Sequence, residues 1–155
     1  MDRLASAQRP DSDLGKLKAA AGKDYVQVDP AVYEMIDFAK TYSEKSQGAW
    51  DITTGVITDL WGIGTDNQRI PSDEEIVAAE SLVNYKDILL RPEDHSVKLA
   101  KAGMSIDLGG IAKGYAVDEV RAIFAKHHIE NGLINLGASS MYALGSNAKG
   151  GPWRI

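Results

Sequence analysis

Nine of the 15 glycines in this 155-residue chain fall between Gly103 and Gly151, and that clustering limits what the last third can become. Glycine admits positive φ and tight turns but weakens the interior of a helix or strand. The segment must therefore be built from short elements joined by unusual backbone geometry. Elsewhere the patterning is that of an ordinary globular chain, with 44% hydrophobic and 25% charged residues. A chain of this length buries roughly 70% of the surface it exposes when unfolded. Neither a fixed-period repeat nor a linker-like tract interrupts it, so a single domain over residues 1–155 is expected.

Charge and composition exclude several partners. With 17 Lys plus Arg against 22 Asp plus Glu, the net charge is −5, and no basic run offers a footprint for a nucleic-acid backbone or an anionic lipid surface. The absence of cysteine removes disulfides, a thiolate nucleophile, sulfur-bound zinc and a cysteine-linked lipid. No apolar run approaches the ~20 residues that span a bilayer. The opening Met1-Asp2-Arg3-Leu4-Ala5-Ser6 lacks the apolar core of a signal peptide. The chain reads as soluble.

Local signals place the elements. A helix is predicted from Ser12 through Leu14, Leu17 and Ala21 to Gly22, followed by a brief strand at Tyr25–Val28. Asp29-Pro30 opens a second helix, whose Val32, Met35, Ile36, Ala39 and Tyr42 share a core face and which stops near Gln47-Gly48. Trp50-Asp51-Ile52-Thr53 is β-prone, and Gly55, Gly62 and Gly64 predict loop and turn around Leu60-Trp61. Ser72 with Glu75 forms a capping-box signature for a helix through about Val83. Ile88–Leu90 and Val97–Leu99 predict a hairpin joined through Arg91–His95, and Met104–Asp107 a further short strand. Leu108-Gly109-Gly110 leads into a helix with Ala116, Val120, Ile123 and Phe124 on one face, ending near His128. Strands at Leu133–Leu136 and Met141–Leu144 follow, and a last strand is predicted at Trp153-Arg154-Ile155. The fold class is α+β, with a mixed, largely antiparallel sheet and packed helices.

Two segments could carry chemistry. In Asp107-Leu108-Gly109-Gly110-Ile111-Ala112-Lys113, a carboxylate, a glycine pair and a helix start would put backbone N–H groups and a lysine where a phosphate could sit. The spacing fits neither a Walker A loop nor a dinucleotide fingerprint, and the glycines could equally make only a tight turn. In Ala49-Trp50-Asp51-Ile52-Thr53-Thr54, a carboxylate and two hydroxyls beside an indole could hold a sugar or a polar ring edge. The blander alternative is that Trp50 and Ile52 pack inward while Asp51 caps a turn, and spacing alone favours it. His95, His127 and His128 lie in a turn and at a helix end, without metal-like partners, and no nucleophile-elbow pattern supports a Ser-His-Asp triad.

Taken together, Pro10–Leu14, Gly48–Thr53, Leu60-Trp61-Gly62, Asp107–Asp118, Asn135-Leu136-Gly137 and Gly150–Trp153 occur in the order and approximate spacing of the ApbE family of FAD:protein FMN transferases, which the chain resembles over nearly all of residues 10–155. The resemblance implies a bacterial enzyme that binds FAD with Mg²⁺ and transfers FMN to a Thr or Ser hydroxyl of a target flavoprotein, releasing AMP. Some relatives instead hydrolyse FAD to FMN and AMP, and a non-catalytic flavin-binding module is a further alternative. Such enzymes are often lipoproteins on the extracytoplasmic face of the cell membrane, an anchor these residues do not include. By position, Ala49, Trp50, Asp51, Asp107 and Lys113 match FAD-contacting residues and Gly110 matches a Mg²⁺-ligating position. The catalytic residues stay unassigned.

The chain departs from the family pattern in two places. Leu17-Lys18 stands where relatives have Leu-Asn, and Ala138 where they have a second glycine. The family is roughly twice as long. It adds a strand before the early motif and a later segment with an Asp and a Thr as metal ligands, so a fragment is expected here.

Overall fold

In the computed structural model, which describes residue 6 and residues 9–155, the chain forms two compact units, the first ending at Gly110 and the second running from Ile111 to Ile155. The opening stretch read for a signal-peptide core lies almost wholly outside the described residues.

Ser12 starts the first helix as expected. Its hydroxyl accepts from the Gly15 N–H at 3.0 Å, capping α1 (Asp13–Ala20), which buries Leu14 and Leu17. Asp13 is also buried. Its carboxylate accepts the Asp29 N–H at 2.7 Å, which ties α1 to the start of α2 (Pro30–Lys45). The α2 core face is Val32, Met35, Ile36, Ala39 and Ser43, with Tyr33 beside it. Tyr42, expected inside, is 48% exposed. It sits one position round the helix from Ser43, whose hydroxyl donates to the Ala39 carbonyl, and it stacks on Phe38 outside the core.

The sheet of this unit is antiparallel, in the order β1–β3–β2, with β1 at Val26–Gln27, β2 at Ile88–Arg91 and β3 at Ser96–Leu99. Val97 pairs with Val26 on one side and Leu90 on the other. The predicted hairpin forms: Pro92–Asp94 makes a single 3-10 turn and His95 takes a left-handed φ of 53°. Ile88, Val97 and Leu99 join the helical apolar faces in the core.

Four expectations here are corrected. Trp50–Thr53 is not a strand, because Asp51 draws the chain into a 3-10 turn at Ile52–Thr54 by accepting from Thr53. The segment around Leu60-Trp61 is helix α3 (Gly55–Trp61), with the glycines at its ends: Gly62, at φ 64°, is a left-handed C-cap. Helix α4 (Asp73–Glu80) has the full capping box of Ser72 and Glu75 but stops before Val83, at the Ser81 cap. Met104–Asp107 is buried at Met104, Ser105 and Ile106 without alternation, and joins no ladder. Its Asp107 N–H bonds the Ile52 carbonyl at 2.8 Å, and Ile52 lies in a turn rather than in a strand.

In the second unit, α5 (Ala112–Lys126) packs on the antiparallel hairpin of β4 (Gly132–Leu136) and β5 (Ser140–Leu144). Gly132 lets the Phe124 ring approach the β4 backbone closely. A Cβ on it would lie 2.6 Å from the Phe124 ring. Ile123, expected on the core face, is 52% exposed, and Val117 is buried instead. The packing track runs through Ala116 or Val117, Val120 and Phe124, one helical position away from Ile123. Trp153–Ile155 joins no strand, and the Trp153 indole N–H bonds the Leu144 carbonyl at 3.0 Å. Every strand pair among the described residues is antiparallel, and the fold class is α+β.

Candidate functional site

Asp51 organises the site in the first unit. Its Oδ1 accepts from both the Thr53 N–H (2.8 Å) and the Thr53 hydroxyl (2.7 Å), while Oδ2 accepts the Tyr85 N–H at 2.8 Å. Thr53, fully buried, in turn accepts the Asn84 N–H at 2.9 Å. A turn of three residues is thereby joined to a segment more than thirty positions away in sequence. The sequence singled out the hydroxyls but not Asn84 or Tyr85, since backbone donors leave no residue-type signal.

The two segments read as chemistry-bearing meet here. Ile52 accepts from the Asp107 N–H, and Gly55 lies so close to the 106–107 backbone that a Cβ would sit 2.6 Å from the Ile106 carbonyl carbon. Gly110 faces Trp50: a Cβ on it would be 3.5 Å from the indole Nε1. The half-buried Trp50 ring also makes an edge contact with Tyr42, at 6.5 Å between centroids. Ala49 is exposed beside it. Thus Ala49, Trp50, Asp51, Asp107 and Gly110 share one neighbourhood within this unit.

Asp107 has more acceptor capacity to spare than Asp51. Its Oδ1 takes the Gly109 N–H at 2.7 Å, but Oδ2 receives only a long 3.4 Å contact from the Thr58 hydroxyl. Thr58, Asp59, Arg69 and Asp107 are among the residues lining a cleft of about 720 Å³, large enough for part of a nucleotide-sized ligand. Asp59 is held from behind, with Lys18 at 2.8 Å and Ser105 at 2.6 Å on the same oxygen. Lys18, the departure noted in the sequence, is thus one half of an ion pair. Arg69 makes a two-pronged bond with Glu75 at 2.8 and 2.7 Å. That pairing and the Ser72 N–H hold the Glu75 carboxyl down at about 2.

Lys113 belongs to the second unit, in the first turn of α5. The helix start at Ile111 has no side-chain cap and no acidic residue, so its positive end is not offset locally. The Lys113 ammonium donates to the Ser139 hydroxyl at 2.9 Å, over the turn that joins β4 to β5. Among the described residues no three His, Asp or Glu side chains converge to hold a metal ion. Gly110 offers only its backbone, so the residues present do not make a magnesium site.

Fold and site together define an α+β protein whose first unit sets an indole, a carboxylate and a glycine pair against one another. The chain belongs to the ApbE family, whose model matches residues 1–155. It is 35% identical over 149 residues to the FAD:protein FMN transferase of Treponema pallidum (strain Nichols), covering 93% of this chain and 41% of that protein. It is 34% identical over 136 residues to the enzyme of that name from Klebsiella pneumoniae (strain 342), covering 88% of this chain and 43% of that protein. The crystal structure of the ApbE protein from Thermotoga maritima superposes with a TM-score of 0.84 at 32% identity, over 96% of this chain and 47% of the other. The flavin transferase ApbE from Vibrio cholerae gives 0.90 at 26% identity, over 99% and 50%. The chain spans less than half the length of the curated relatives it matches.

Proposed function

We propose that this chain is part of a flavin transferase that binds FAD and transfers its FMN moiety to a Thr or Ser hydroxyl of a target flavoprotein. The acceptor oxygen attacks the FMN phosphorus, the bond to the bridging oxygen breaks, AMP leaves with that oxygen, and the hydroxyl proton passes to solvent. The single observation that carries this reading is the meeting of Trp50 and Asp51 with Asp107–Gly110, one segment suited by its residues to a sugar or polar ring edge and the other to a phosphate. An aromatic wall beside a carboxylate suits a ring with polar edges. The uncapped start of α5 with Lys113 suits a phosphate.

In this reading Ala49, Trp50, Asp107 and Lys113 meet FAD, Asp51 belongs to the turn that carries Trp50, and Gly110 has only a backbone carbonyl to offer Mg²⁺. When bound, Mg²⁺ would neutralise charge on the pyrophosphate. The described residues here do not complete its shell. A lipoprotein on the extracytoplasmic face of a bacterial membrane is part of the same proposal, with the lipid on none of these 155 residues, since they include no cysteine. No helix among the described residues is long and apolar enough to cross a membrane.

The test is FAD titration followed by flavin fluorescence. Lys113→Met removes one charge opposite the pyrophosphate and should weaken FAD roughly ten- to hundredfold, because a charge-assisted hydrogen bond contributes ~1.5–3 kcal/mol. Riboflavin binding and the unfolding midpoint should not move. An FAD dissociation constant equal to that of the unmodified chain would overturn the role of Lys113, and absence of FAD binding altogether would overturn the flavin reading.

A further inference from the structure

Both oxygens of Asp51 are spent on protein donors: Thr53 supplies two hydrogen bonds to one and Tyr85 a third to the other. Such a carboxylate has little left to offer a ligand. Its partner Thr53 is fully buried and cannot touch one. What the pair does control is the position of its neighbours. Trp50 precedes Asp51 directly, with its N–H fixed on the Ser46 hydroxyl at 3.1 Å, and its ring faces Gly110. On the other side, the Ile52 carbonyl between Asp51 and Thr53 holds the Asp107 N–H. A shift of this one turn moves the indole and the Asp107 carboxylate together.

We propose that Asp51 and Thr53 are positioning residues, which set the Trp50 ring and Asp107 for the ligand and do not contact it. This refines the flavin reading and rests on it for the identity of the ligand. The hydroxyl of Thr53 is the critical group, because it donates to Asp51 and accepts from Asn84 at once, and a substitution that removes it leaves the half-buried Asn84 N–H without that acceptor. Asp51→Asn replaces one of the two acceptor oxygens by an NH₂ donor, so that either the Tyr85 N–H or the Thr53 N–H loses its acceptor.

The experiment measures FAD affinity for Asp51→Asn, Thr53→Val, the double variant and Thr53→Ser, at a temperature where circular dichroism shows each folded. Should Thr53→Val not fold, Thr53→Cys replaces it. Amide exchange of Asn84 and Tyr85 and acrylamide quenching of tryptophan emission are followed in parallel. Each single variant is expected to weaken FAD about tenfold, the double variant no more than the weaker single, and Thr53→Ser to recover affinity to within about twofold. Loss of affinity in Asp51→Asn with Thr53→Val binding normally would overturn the proposal, since it would place the carboxylate on the ligand, and so would losses that add in the double variant. If the unmodified chain binds no FAD, the flavin reading fails and the positioning role is read from the amides and the indole. Faster exchange at Asn84 and Tyr85 with altered quenching in both single variants would support it, and unchanged exchange would overturn it.

Discussion

Ala138 occupies a left-handed conformation, φ 56°, in the turn between β4 and β5, directly after Gly137 at 62°. A side chain there costs roughly 1–2 kcal/mol, part of which glycine returns as unfolded-state entropy. Ala138→Gly should therefore raise stability by about 1 kcal/mol, seen as a higher urea midpoint with an unchanged slope. Gly55 is the opposite case. Its φ is ordinary, but a Cβ would run into the Ile106 carbonyl carbon at 2.6 Å, which belongs to backbone and cannot swing aside. Gly55→Ala should cost about 2–3 kcal/mol in the same measurement, and an unchanged midpoint would mean that the 106–107 backbone can retreat. Of these two effects the sequence announced only half. A missing second glycine at position 138 was visible as a departure from pattern, whereas the crowding at Gly55 comes from a segment fifty residues away.

At the scale of elements, α4 shows how a local signature and a nonlocal partner combine. Its capping box was legible from Ser72 and Glu75 alone, because both partners lie within one turn. Arg69 was not, though it forms the two-pronged arm of the same cluster. The depressed Glu75 carboxyl stabilises the folded chain at pH values above its ordinary 4.5, and that contribution is lost as pH falls through about 2. Stability should thus decline between these values in a way that Glu75→Gln does not show, the difference shrinking in high salt. Melting curves across a pH series check this, and parallel curves for the two proteins would contradict it. The failed strand at Trp50–Thr53 has the same lesson in reverse. β-propensity over four residues lost to a single aspartate that closes a turn on the following threonine.

Among the described residues no three acidic groups converge, and two carboxylates of the candidate site are already engaged, Asp51 by Thr53 and the Tyr85 N–H and Asp59 by Lys18 and Ser105, which leaves Asp107 as the one with capacity to spare. Mg²⁺ prefers a near-octahedral set of oxygens and dehydrates reluctantly. The flavin-free chain should accordingly bind Mg²⁺ only weakly, with affinity rising when FAD brings its phosphates. Calorimetric titration with and without FAD measures this, and micromolar binding of Mg²⁺ alone would show a ligand set that the described residues do not reveal.

The sequence by itself determined the α+β class, the helix starts at Ser12, Asp29 and Ser72, the β2–β3 and β4–β5 hairpins and the two segments that form the candidate site, because caps, turn residues and apolar periodicity act over a few residues. Only the tertiary structure decided that these two segments meet, that Asp51 turns inward to the Tyr85 N–H and Thr53 to the Asn84 N–H while Asp107 faces a cleft, and that Tyr42 and Ile123 stay outside the core. The physical reason is range. A hydrogen bond to a backbone N–H or a contact against a glycine Cα depends on where distant segments pass, and no residue type in the local pattern records that.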